Sequence, residues 1–328
     1  MALAVALSMG LAGCSGSHSI LDPAGQAARD VAWLWWGMLA GFGLVFVGVV
    51  ALWLAAFRPR ERPARSPDQE RRLARSWILG GGILLPGVTI LVLLAFGVPT
   101  GQRLLPLPLP GGETPRVIEV TGHQWWWEVR YPDEASEVVT ANHVVMPAGE
   151  PVDFHVTGAD VIHAFWVPRL GGKIDMIPGR INRIRLEADA PGVFGAQCAE
   201  YCGVQHAHMQ LHLEAVAPAA FEDWLAARRE PPPEPDDSHA AARDTFAAHC
   251  ASCHRVAGLS DGGIGPDLSD LGARDTLGAG TLAMEEGAIA RWLAEHQRLK
   301  PGNRMPAHDH LAPEDLEALG AWLETLAP

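Results

Sequence analysis

Two long apolar runs near the N-terminus constrain this chain more than any other feature. Residues 31–57 read VAWLWWGMLAGFGLVFVGVVALWLAAF and residues 77–98 read WILGGGILLPGVTILVLLAFGV, and neither run contains a charged side chain. An α-helix needs about 20 apolar residues to cross the hydrocarbon core of a bilayer, so both runs are long enough. We therefore predict transmembrane helices over 31–57 and 77–98; the alternative is a pair of helices buried inside a soluble protein.

The segment between the two runs, residues 58–76, is rich in arginine. Its basic residues are Arg58, Arg60, Arg62, Arg65, Arg71, Arg72 and Arg75. Loops that carry an excess of Lys and Arg stay on the cytoplasmic side of a membrane. We therefore expect this loop in the cytoplasm of a bacterial cell and both ends of the chain on the outer side of the inner membrane.

The first residues, MALAVALSMGLAGCSGS, form a short apolar run of small side chains around Cys14. This run resembles a bacterial lipoprotein signal peptide over residues 1–14, which implies that Cys14 is the lipidated first residue of the mature chain. The run lacks the basic residues that usually precede it. Either the natural start lies upstream or the interpretation as a signal peptide is wrong.

The charge balance limits the classes of partner. The formal net charge is −13, which argues against a nucleic-acid partner because such a partner needs a basic face. Acidic residues predominate in the part of the chain after the second apolar run, from residue 112 onwards. That surface is either simply solvated or a landing zone for a basic protein.

Beyond the apolar runs the sequence pattern changes twice. Residues 112–225 contain short alternating segments separated by Gly and Pro turns, which predicts an all-β sandwich or barrel. Residues 226–238, ARREPPPEPDDSH, have the proline-rich and acidic composition of an extended spacer. Residues 239–328 show helical periodicity. The predicted fold class is a multidomain membrane protein with a two-helix transmembrane hairpin, an all-β sandwich and an all-α domain.

The helical segment contains a C-x-x-C-H motif made by Cys250, Cys253 and His254. This spacing places two thiols on one helical turn, where they can form thioethers with the haem vinyl groups, while the histidine ligates the iron. A redox or zinc C-x-x-C pair is the alternative. The histidine that directly follows the second cysteine favours one covalent haem c.

The haem iron needs a sixth ligand, and Met305 in PGNRMP is the best candidate because it lies on a Pro/Gly-rich loop. Its competitors are Met284, His296 and His308. The N-x-M-P arrangement and the GPDL segment at residues 265–268 resemble bacterial class I cytochromes c, which implies their all-α fold and Met305 as the ligand. A thioether ligand raises the reduction potential, as an acceptor of electrons from donor cytochromes requires.

A second cluster of soft donors lies at residues 197–209, QCAEYCGVQHAHM. Its donors are Cys198, Cys202, His206, His208 and Met209. A disulfide is the default for two cysteines outside the cell, and zinc would leave the methionine without a purpose. Thiolate, imidazole and thioether together are a copper set. Two cysteines could bridge two copper ions, each of which also needs one imidazole.

The loop itself offers His206 and the weak axial donor Met209, so a second imidazole must come from elsewhere in the sandwich. His163, in the strand-like segment ADVIHAFWVP, is the best candidate. The rival histidines are His123, His143, His155, His208 and His212.

The pattern C-A-E-Y-C-G-x-x-H-A-x-M resembles the binuclear copper A loop of cytochrome c oxidase subunit II. The resemblance extends through GHQWWWEVRYP, DVIHAFWVP and GGKIDMIPGR and covers nearly the whole chain, including the fused cytochrome c. It implies a cupredoxin-like sandwich. It also implies a ligand set of two bridging thiolates, one imidazole for each copper and two weak axial donors: Cys198 and Cys202, His163 and His206, Met209 and the backbone carbonyl of Glu200.

The same resemblance implies roles for four other side chains. Glu200, with Asp175 nearby, would help to hold a magnesium or manganese ion at the boundary with the catalytic subunit. Trp125 would be the residue through which electrons reach the copper pair, and Asp160 would lie in the patch where a donor docks. The implied partners are the haem–copper subunit I, other oxidase subunits, and a donor cytochrome c or cytochrome bc complex.

Two features concern chemistry outside the metal clusters. Neither apolar run contains a histidine that could ligate a haem, so the haem at which dioxygen is reduced must belong to a partner.

The family commonly has a carboxylate three residues before Trp77, at the mouth of a proton channel. This chain has Ala74 there, with Glu70 one helical turn further out. Either Glu70 substitutes for that carboxylate or proton uptake differs.

Three other classes of protein share part of this pattern. Nitrous oxide reductase has a copper A loop, but it would need a large histidine-rich propeller and no membrane spans. A copper-binding lipoprotein for copper delivery or assembly would not need a haem c domain or a two-span anchor. A structural zinc module is the third alternative. Metal content and EPR spectra separate these classes.

Overall fold

The computed structural model describes most of the chain. The described ranges are residues 15–58, 65–109, 111–112, 114–132, 137–230 and 237–328. The expected signal peptide with Cys14 lies outside these residues. So do Arg60 and Arg62 of the basic loop and residues 231–236 of the expected spacer.

The two apolar helices expected from the sequence are present. The first, α1, spans Gln26–Ala56. The second begins as α2 (Pro67–Leu79), passes through a π-helical segment (Gly80–Leu84) and continues as α3 (Leu85–Arg103). Both helices are therefore longer than the apolar runs that predicted them.

The second helix begins before the predicted residue 77 because the arginine-bearing segment is itself helical. Ser66 caps this segment: its hydroxyl accepts a hydrogen bond from the amide of Gln69 (3.4 Å), and the Gln69 side-chain oxygen accepts one from the amide of Ser66 (3.0 Å). Pro67 occupies the first turn, where its missing N–H costs nothing. Glu70 and Ala74 consequently lie one turn apart on the same helix.

The apolar side chains of these helices are exposed in the isolated chain. The most apolar window of each helix has a mean hydropathy of 2.4 and is 0% buried. A groove of about 660 Å³ is lined by side chains of α1 and α3, among them Leu34, Phe42 and Val92. An apolar surface of this extent requires lipid or another apolar helix against it.

The middle of the chain folds into two five-stranded sheets. The strands are β1 (Arg116–His123), β2 (Trp126–Tyr131), β3 (Val138–Ala141), β4 (His143–Pro147), β5 (Val152–Gly158), β6 (His163–Trp166), β7 (Ile174–Met176), β8 (Asn182–Leu186), β9 (Gly192–Cys198) and β10 (Gln210–Val216). One sheet has the order β3-β2-β1-β5-β8 and the other β4-β10-β9-β6-β7. The pairs β1–β5 and β4–β10 are parallel, and the remaining pairs are antiparallel.

The two sheets enclose one apolar core because buried and less buried residues alternate along the strands. In β5, for example, Val152, Phe154 and Val156 are fully buried. Trp127 and Phe165 meet edge to face across the core, with ring centroids 6.2 Å apart. This is the all-β, cupredoxin-like sandwich that the sequence predicts.

The C-terminal part is helical around a second core, as expected. Helix α4 (Pro218–Arg229) belongs to the sandwich, whose core includes its Phe221 and Leu225. The helices of the C-terminal part are α5 (Ala240–His249), α6 (Ala288–Leu299) and α7 (Pro313–Glu324). The rings of Phe246 and Trp322 lie 5.3 Å apart in this core. Helix α4 extends to Arg229, into the segment that composition suggested as a spacer.

Candidate metal centres

The soft donors of the QCAEYCGVQHAHM segment converge because one loop joins two neighbouring strands. Cys198 ends β9, and the amide of Cys198 donates to the carbonyl of Met209 (3.0 Å), just before β10. Cys202 lies in the loop, and a short 3₁₀ turn at His206–His208 brings His206 back toward the thiols. The Sγ atoms of Cys198 and Cys202 are 3.8 Å apart, and both cysteines are free.

Each thiol is paired with a different imidazole. Nδ1 of His163 lies 3.9 Å from Sγ of Cys198, and Nδ1 of His206 lies 3.6 Å from Sγ of Cys202. His163 comes from the sandwich: it begins β6, which pairs with β9 so that Phe165 faces Cys198. His163 and the two cysteines form a buried group whose donor atoms all lie within 4.8 Å of one another.

Two weaker donors lie at opposite ends of this arrangement. The carbonyl oxygen of Glu200 is 3.2 Å from Sγ of Cys198, and Sδ of Met209 is 3.8 Å from Sγ of Cys202. The site therefore has approximate two-fold symmetry, with a central pair of thiols, one imidazole for each thiol and one weak donor at each end. This donor chemistry fits two soft, copper-like ions better than one tetrahedral zinc.

The orientation of His163 is controlled from its other side. Its Nε2 lies 2.9 Å from Oδ1 of Asp160, whose Oδ2 accepts the amide of Gln124 (2.8 Å). A side chain at Gly122 would clash, because a Cβ there would lie 2.9 Å from Cγ of His163. A carboxylate behind a ligating histidine fixes its ring and leaves the other nitrogen free for metal.

The electrostatics of the cluster favour a thiolate. Hydrogen bonds from the Cys202 thiol and from His163 lower the pKa of Cys198 to about 3, against the opposing effect of burial. Burial alone would lower the pKa of His163, but Cys198 and Asp160 outweigh it and raise that pKa. The pairing of the two thiols thus favours a thiolate on one sulfur, toward which a cation is attracted.

The other candidate histidines have different surroundings. His123 stacks on Trp126 at 4.2 Å, and His143 and His212 face each other on β4 and β10 with rings 5.3 Å apart. His208 bonds Gln205 through Nδ1 (2.7 Å). His155 lies on β5 opposite Arg183. Within the described residues, none of these rival histidines joins the thiols in a metal-sized group, as His163 does.

Trp125 lies directly against the thiol loop, residues 199–209 between β9 and β10. Its indole Nε1–H donates to the carbonyl of Cys202 (3.1 Å), which also accepts from the side chain of Gln124 (2.7 Å). Trp125 is 8% exposed. Asp160, expected in a docking patch, has a side chain that is 15% exposed, bonded to His163, and 3.7 Å from Arg304.

The carboxylate of Glu200 points away from the thiols. Its Oε2 lies 3.4 Å from Nζ of Lys173. Asp175 lies on the adjacent strand β7, where its carbonyl accepts from the Asn182 side chain (2.6 Å). In the described residues these two carboxylates are not joined in a metal-sized group, and their expected share in a magnesium or manganese site remains a prediction.

The C-x-x-C-H residues lie at the end of α5. Cys250 caps that helix, and the amides of Cys253 and His254 both donate to its carbonyl (3.0 Å each). Nδ1 of His254 lies 2.8 Å from the carbonyl of Pro266, which leaves Nε2 available for iron. Burial lowers the pKa of His254, so its ring is neutral as a ligand must be.

The segment around Pro266 is shaped to the histidine. A Cβ at Gly265 would lie 2.6 Å from Cε1 of His254, so only glycine permits this approach. Cys250 and Cys253 are both free thiols. A ring-oriented histidine beside two free thiols, in a helical core, fits covalent attachment of haem c.

Met305 and its two histidine competitors lie on or near the loop between α6 and α7, whereas Met284 precedes α6 and packs against the helical core. Met305 is half-buried against the helical core, and its amide donates to Oδ1 of Asn303 (3.1 Å) while its carbonyl accepts from Gln297 (2.7 Å). His308 is buried, and both of its ring nitrogens lack a partner within the described residues. His296 is engaged by Asn303.

The helical part docks on the sandwich through contacts that sequence reasoning did not anticipate. Lys300 donates to carbonyls of Trp125 (2.8 Å) and His208 (2.9 Å). The side chain of Gln205 donates to the carbonyl of Pro301 (2.9 Å), and Arg304 donates to the side chain of Gln124 (2.7 Å). The loop that carries Met305 therefore rests on the loop that carries the thiols.

A buried ionic cluster makes a second contact between the same two parts. Asp270 accepts from the hydroxyl of Thr140 (3.0 Å) and from Nε of Arg228 (3.2 Å), both in the sandwich part, and from Nε of Arg274 (3.0 Å) in its own. No sequence motif marks this contact, because Thr140 and Arg228 lie far from Asp270 along the chain.

Comparisons with known proteins agree with this division of the chain. The family model "Cytochrome C oxidase subunit II, periplasmic domain" matches residues 133–216, and the cytochrome c family model matches residues 240–327. Cytochrome c oxidase subunit 2 of Alkalihalophilus pseudofirmus is 35% identical, with 98% of this chain and 94% of that protein covered. The corresponding protein of Bacillus sp. PS3 is 33% identical over 64% of this chain and 62% of its own length.

Among solved structures, the chain is similar to the periplasmic domain of subunit II of cytochrome oxidase of Bradyrhizobium japonicum. The identity is 36%, the TM-score is 0.34, and the match covers 36% of this chain and 95% of that one.

Proposed function

The chain belongs to the cytochrome c oxidase subunit II family, and from this premise we propose that it is the electron-input subunit of a terminal respiratory oxidase. It is a membrane protein with a periplasmic domain and a subunit of a haem–copper oxidase complex. In the proposed route, a donor cytochrome reduces the haem c of this chain, the electron reaches a binuclear copper A centre, and it continues to the catalytic subunit that reduces dioxygen.

One observation carries this proposal: the paired donor array of the thiol loop. Cys198 and Cys202 would hold the copper pair together with His163 and His206, one Nδ1 nitrogen of which lies beside each thiol. The carbonyl of Glu200 supplies the weak donor at one end, and Met209 supplies the one at the other end. When bound, such a copper pair supplies one-electron transfer with little change of geometry.

The protein residues hold this site rigid and dry. Asp160 orients His163, and the indole of Trp125 donates to the carbonyl of Cys202, so both sides of the thiol pair are fixed by hydrogen bonds. Cys198, Cys202, His163 and Met209 are buried. Fixed, buried ligands keep reorganisation small, as fast electron transfer requires.

Haem c would be held by the thiols of Cys250 and Cys253, the Nε2 of His254 and the thioether of Met305. The loop from Lys300 to Met305 lies on Trp125 and on the thiol loop, which supports direct transfer within the chain. Trp125 is 8% exposed beneath this contact. We therefore expect an external donor to deliver its electrons to the haem domain rather than near Asp160.

The remaining steps belong to partners. The apolar runs contain no histidine, so the haem at which dioxygen is reduced lies in another subunit, which we propose to be the haem–copper subunit I. Charge in the basic loop supports a cytoplasmic position for residues 58–76 and an outer position for both metal domains. The carboxylate of Glu200 is proposed to contribute to a magnesium or manganese site at the subunit boundary.

Metal analysis of the purified complex tests the copper assignment. We expect two copper ions for each haem c that this chain carries, and a mixed-valence copper EPR spectrum. Zinc in place of copper, or a single copper with the spectrum of a mononuclear site, would contradict the proposal. Copper that is bound only in substoichiometric amounts, without haem c, would favour a copper-delivery role.

Replacing Met305 with alanine is expected to leave haem covalently attached and to lower its reduction potential. The thioether ligand stabilises reduced iron, while Cys250, Cys253 and His254 are untouched. Redox titration of the haem absorbance in the purified complex measures the change. Met284→Leu is the matched control and should leave the potential unchanged.

An unchanged potential in Met305→Ala would remove Met305 from the coordination sphere. His308→Ala then becomes the decisive variant, because His308 is the buried histidine of this region with unpartnered nitrogens.

A further inference from the structure

Lys300 is one of two lysines in the chain, and it is buried where the helical part meets the sandwich. It follows directly after α6 and is 3% exposed. Lysine is almost never fully buried unless its ammonium group is paired. Its burial here therefore needs partners that satisfy all three of its N–H groups.

Three backbone carbonyls supply those partners. Nζ of Lys300 donates to the carbonyl oxygens of Gly278 (2.6 Å), Trp125 (2.8 Å) and His208 (2.9 Å). Gly278 belongs to the helical part, while Trp125 and His208 belong to the sandwich. Nζ of Lys300 thus joins the two parts at one point by three hydrogen bonds, which engage all three N–H groups of the ammonium form, even though burial lowers the pKa of Lys300 to about 7.

On the sandwich side, both acceptors lead directly to the thiol loop. The residue after His208 is Met209, whose Sδ is 3.8 Å from Sγ of Cys202. The indole of Trp125 donates to the carbonyl of Cys202. Lys300 is therefore linked to Cys202 by two routes, one through His208 and Met209 and the other through Trp125.

On the helical side, Lys300 begins the loop that carries Met305. Pro301 accepts a hydrogen bond from the side chain of Gln205, and a Cβ at Gly302 would lie 3.5 Å from the side chain of Val204. These neighbours also touch the thiol loop, but they are polar or van der Waals contacts without a buried charge. Lys300 makes three hydrogen bonds from one buried nitrogen and lies at the centre of the contact.

We infer that Lys300 is a positioning residue for electron transfer inside this chain: its ammonium group holds the Met305 loop at a fixed distance from Trp125 and the thiol loop. This inference rests on the proposed function. In the step concerned, the haem iron loses one electron and the copper pair gains it, and no proton or leaving group is involved. The external donor cytochrome supplies the electron.

The expected effect follows from the sensitivity of rates to geometry. Removing the ammonium group leaves the carbonyls of Trp125 and His208 without this donor and that of Gly278 with the Thr281 hydroxyl (2.7 Å), so the loop must shift or admit water. The rate of electron transfer falls as the distance between donor and acceptor grows, so a shifted loop slows the step. The Asp270 cluster remains intact in such a variant, so the two parts stay attached while their fine spacing is lost.

The test uses the purified oxidase complex with the full chain in three variants. Lys300→Met keeps the length of the side chain and removes its charge and donors. Lys300→Gln keeps two N–H donors on a shorter side chain. Arg298→Met is the matched control, because Arg298 lies two positions before Lys300 and also carries a positive charge. Its side chain is 66% exposed and paired with Glu295, away from the contact.

Two measurements are made on each variant. Laser-flash reduction with a ruthenium photoreductant gives the rate at which haem c passes its electron to copper. The relaxation enhancement of the copper EPR signal by ferric haem reports the spacing of the two centres independently of turnover. We expect a lower rate and a changed enhancement in Lys300→Met, intermediate values in Lys300→Gln, and wild-type values in Arg298→Met.

The outcomes separate this inference from the proposed function. If the wild-type chain passes no electron from haem to copper, the proposed route fails. If the wild type transfers and Lys300→Met matches it in rate and in relaxation enhancement, the positioning role is wrong and the route stands. Loss of haem or copper from both Lys300 variants would make Lys300 a folding residue and would also overturn the inference.

Discussion

Replacing Cys202 with serine is expected to abolish the mixed-valence copper spectrum while the haem c spectrum persists. Cys202 lies between the two halves of the site: its Sγ is 3.8 Å from Cys198, 3.6 Å from Nδ1 of His206 and 3.8 Å from Sδ of Met209. A hydroxyl is a hard donor that does not bridge soft copper ions. EPR and copper analysis of the purified complex measure the loss.

Two histidines of the same loop provide the matched comparison. His206→Gln should also lose the paired copper signal, because its Nδ1 faces Cys202. His208→Gln should keep that signal, because the His208 ring bonds Gln205 instead and its backbone carbonyl is unaffected by the change. These variants differ by two positions, so a general disturbance of the loop would affect both.

A retained mixed-valence spectrum in Cys202→Ser would exclude a bridging role for this cysteine. Equal loss of copper in His206→Gln and His208→Gln would show that the loop, rather than a particular imidazole, is what the substitutions disturb. Either result would require a different ligand set.

Replacing Asp270 with alanine is expected to cost about 3–5 kcal/mol of the free energy of unfolding, because it leaves buried arginine charge without its partner. Asp270 is 3% exposed and contacts Arg228, Arg274 and the hydroxyl of Thr140. The cost should appear as a lower midpoint in thermal unfolding of the purified chain. Asp275→Ala is the control, since its carboxylate is 68% exposed beside His212 and should contribute about 1 kcal/mol or less.

The pH dependence of this contribution has a defined sign. Burial alone would raise the pKa of Asp270, but Arg274 and Arg228 outweigh it and hold the pKa below its usual value of 3.8. A depressed pKa stabilises the fold above the ordinary pKa of the carboxyl group, and that stability is lost as the pH falls through the folded-state value. The difference in unfolding midpoint between the wild type and Asp270→Ala should therefore be largest above about pH 4 and should shrink as the pH falls below that value. A midpoint equal to that of Asp275→Ala at neutral pH would contradict this account.

Local sequence patterns predicted most of the fold and most of each metal site. The apolar runs predicted α1 and the second helix because hydropathy depends on composition over a short stretch. Cys198, Cys202, His206 and Met209 could be grouped because they lie within one loop. The same holds for the C-x-x-C-H residues, whose spacing fits one helical turn.

His163 shows where local patterns reach their limit. It lies far from the thiols along the chain, and several histidines were equally available by composition. The pairing of β6 with β9 selects it, because this pairing brings Nδ1 of His163 to 3.9 Å from Cys198. Asp160 was expected only as a docking residue, but the turn before β6 also places it behind His163.

The sequence by itself determined the membrane helices, the alternating strands, the haem-attachment motif and most donors of the thiol loop, because each depends on residues that are close together in the chain. Only the tertiary structure decided how the haem domain sits on the thiol loop. The proline-rich composition of residues 226–238 suggested a spacer, but Lys300 and Asp270 bind the sandwich directly. The partners of Lys300 are backbone carbonyls, which every residue possesses, so no side-chain pattern in the sequence can identify them.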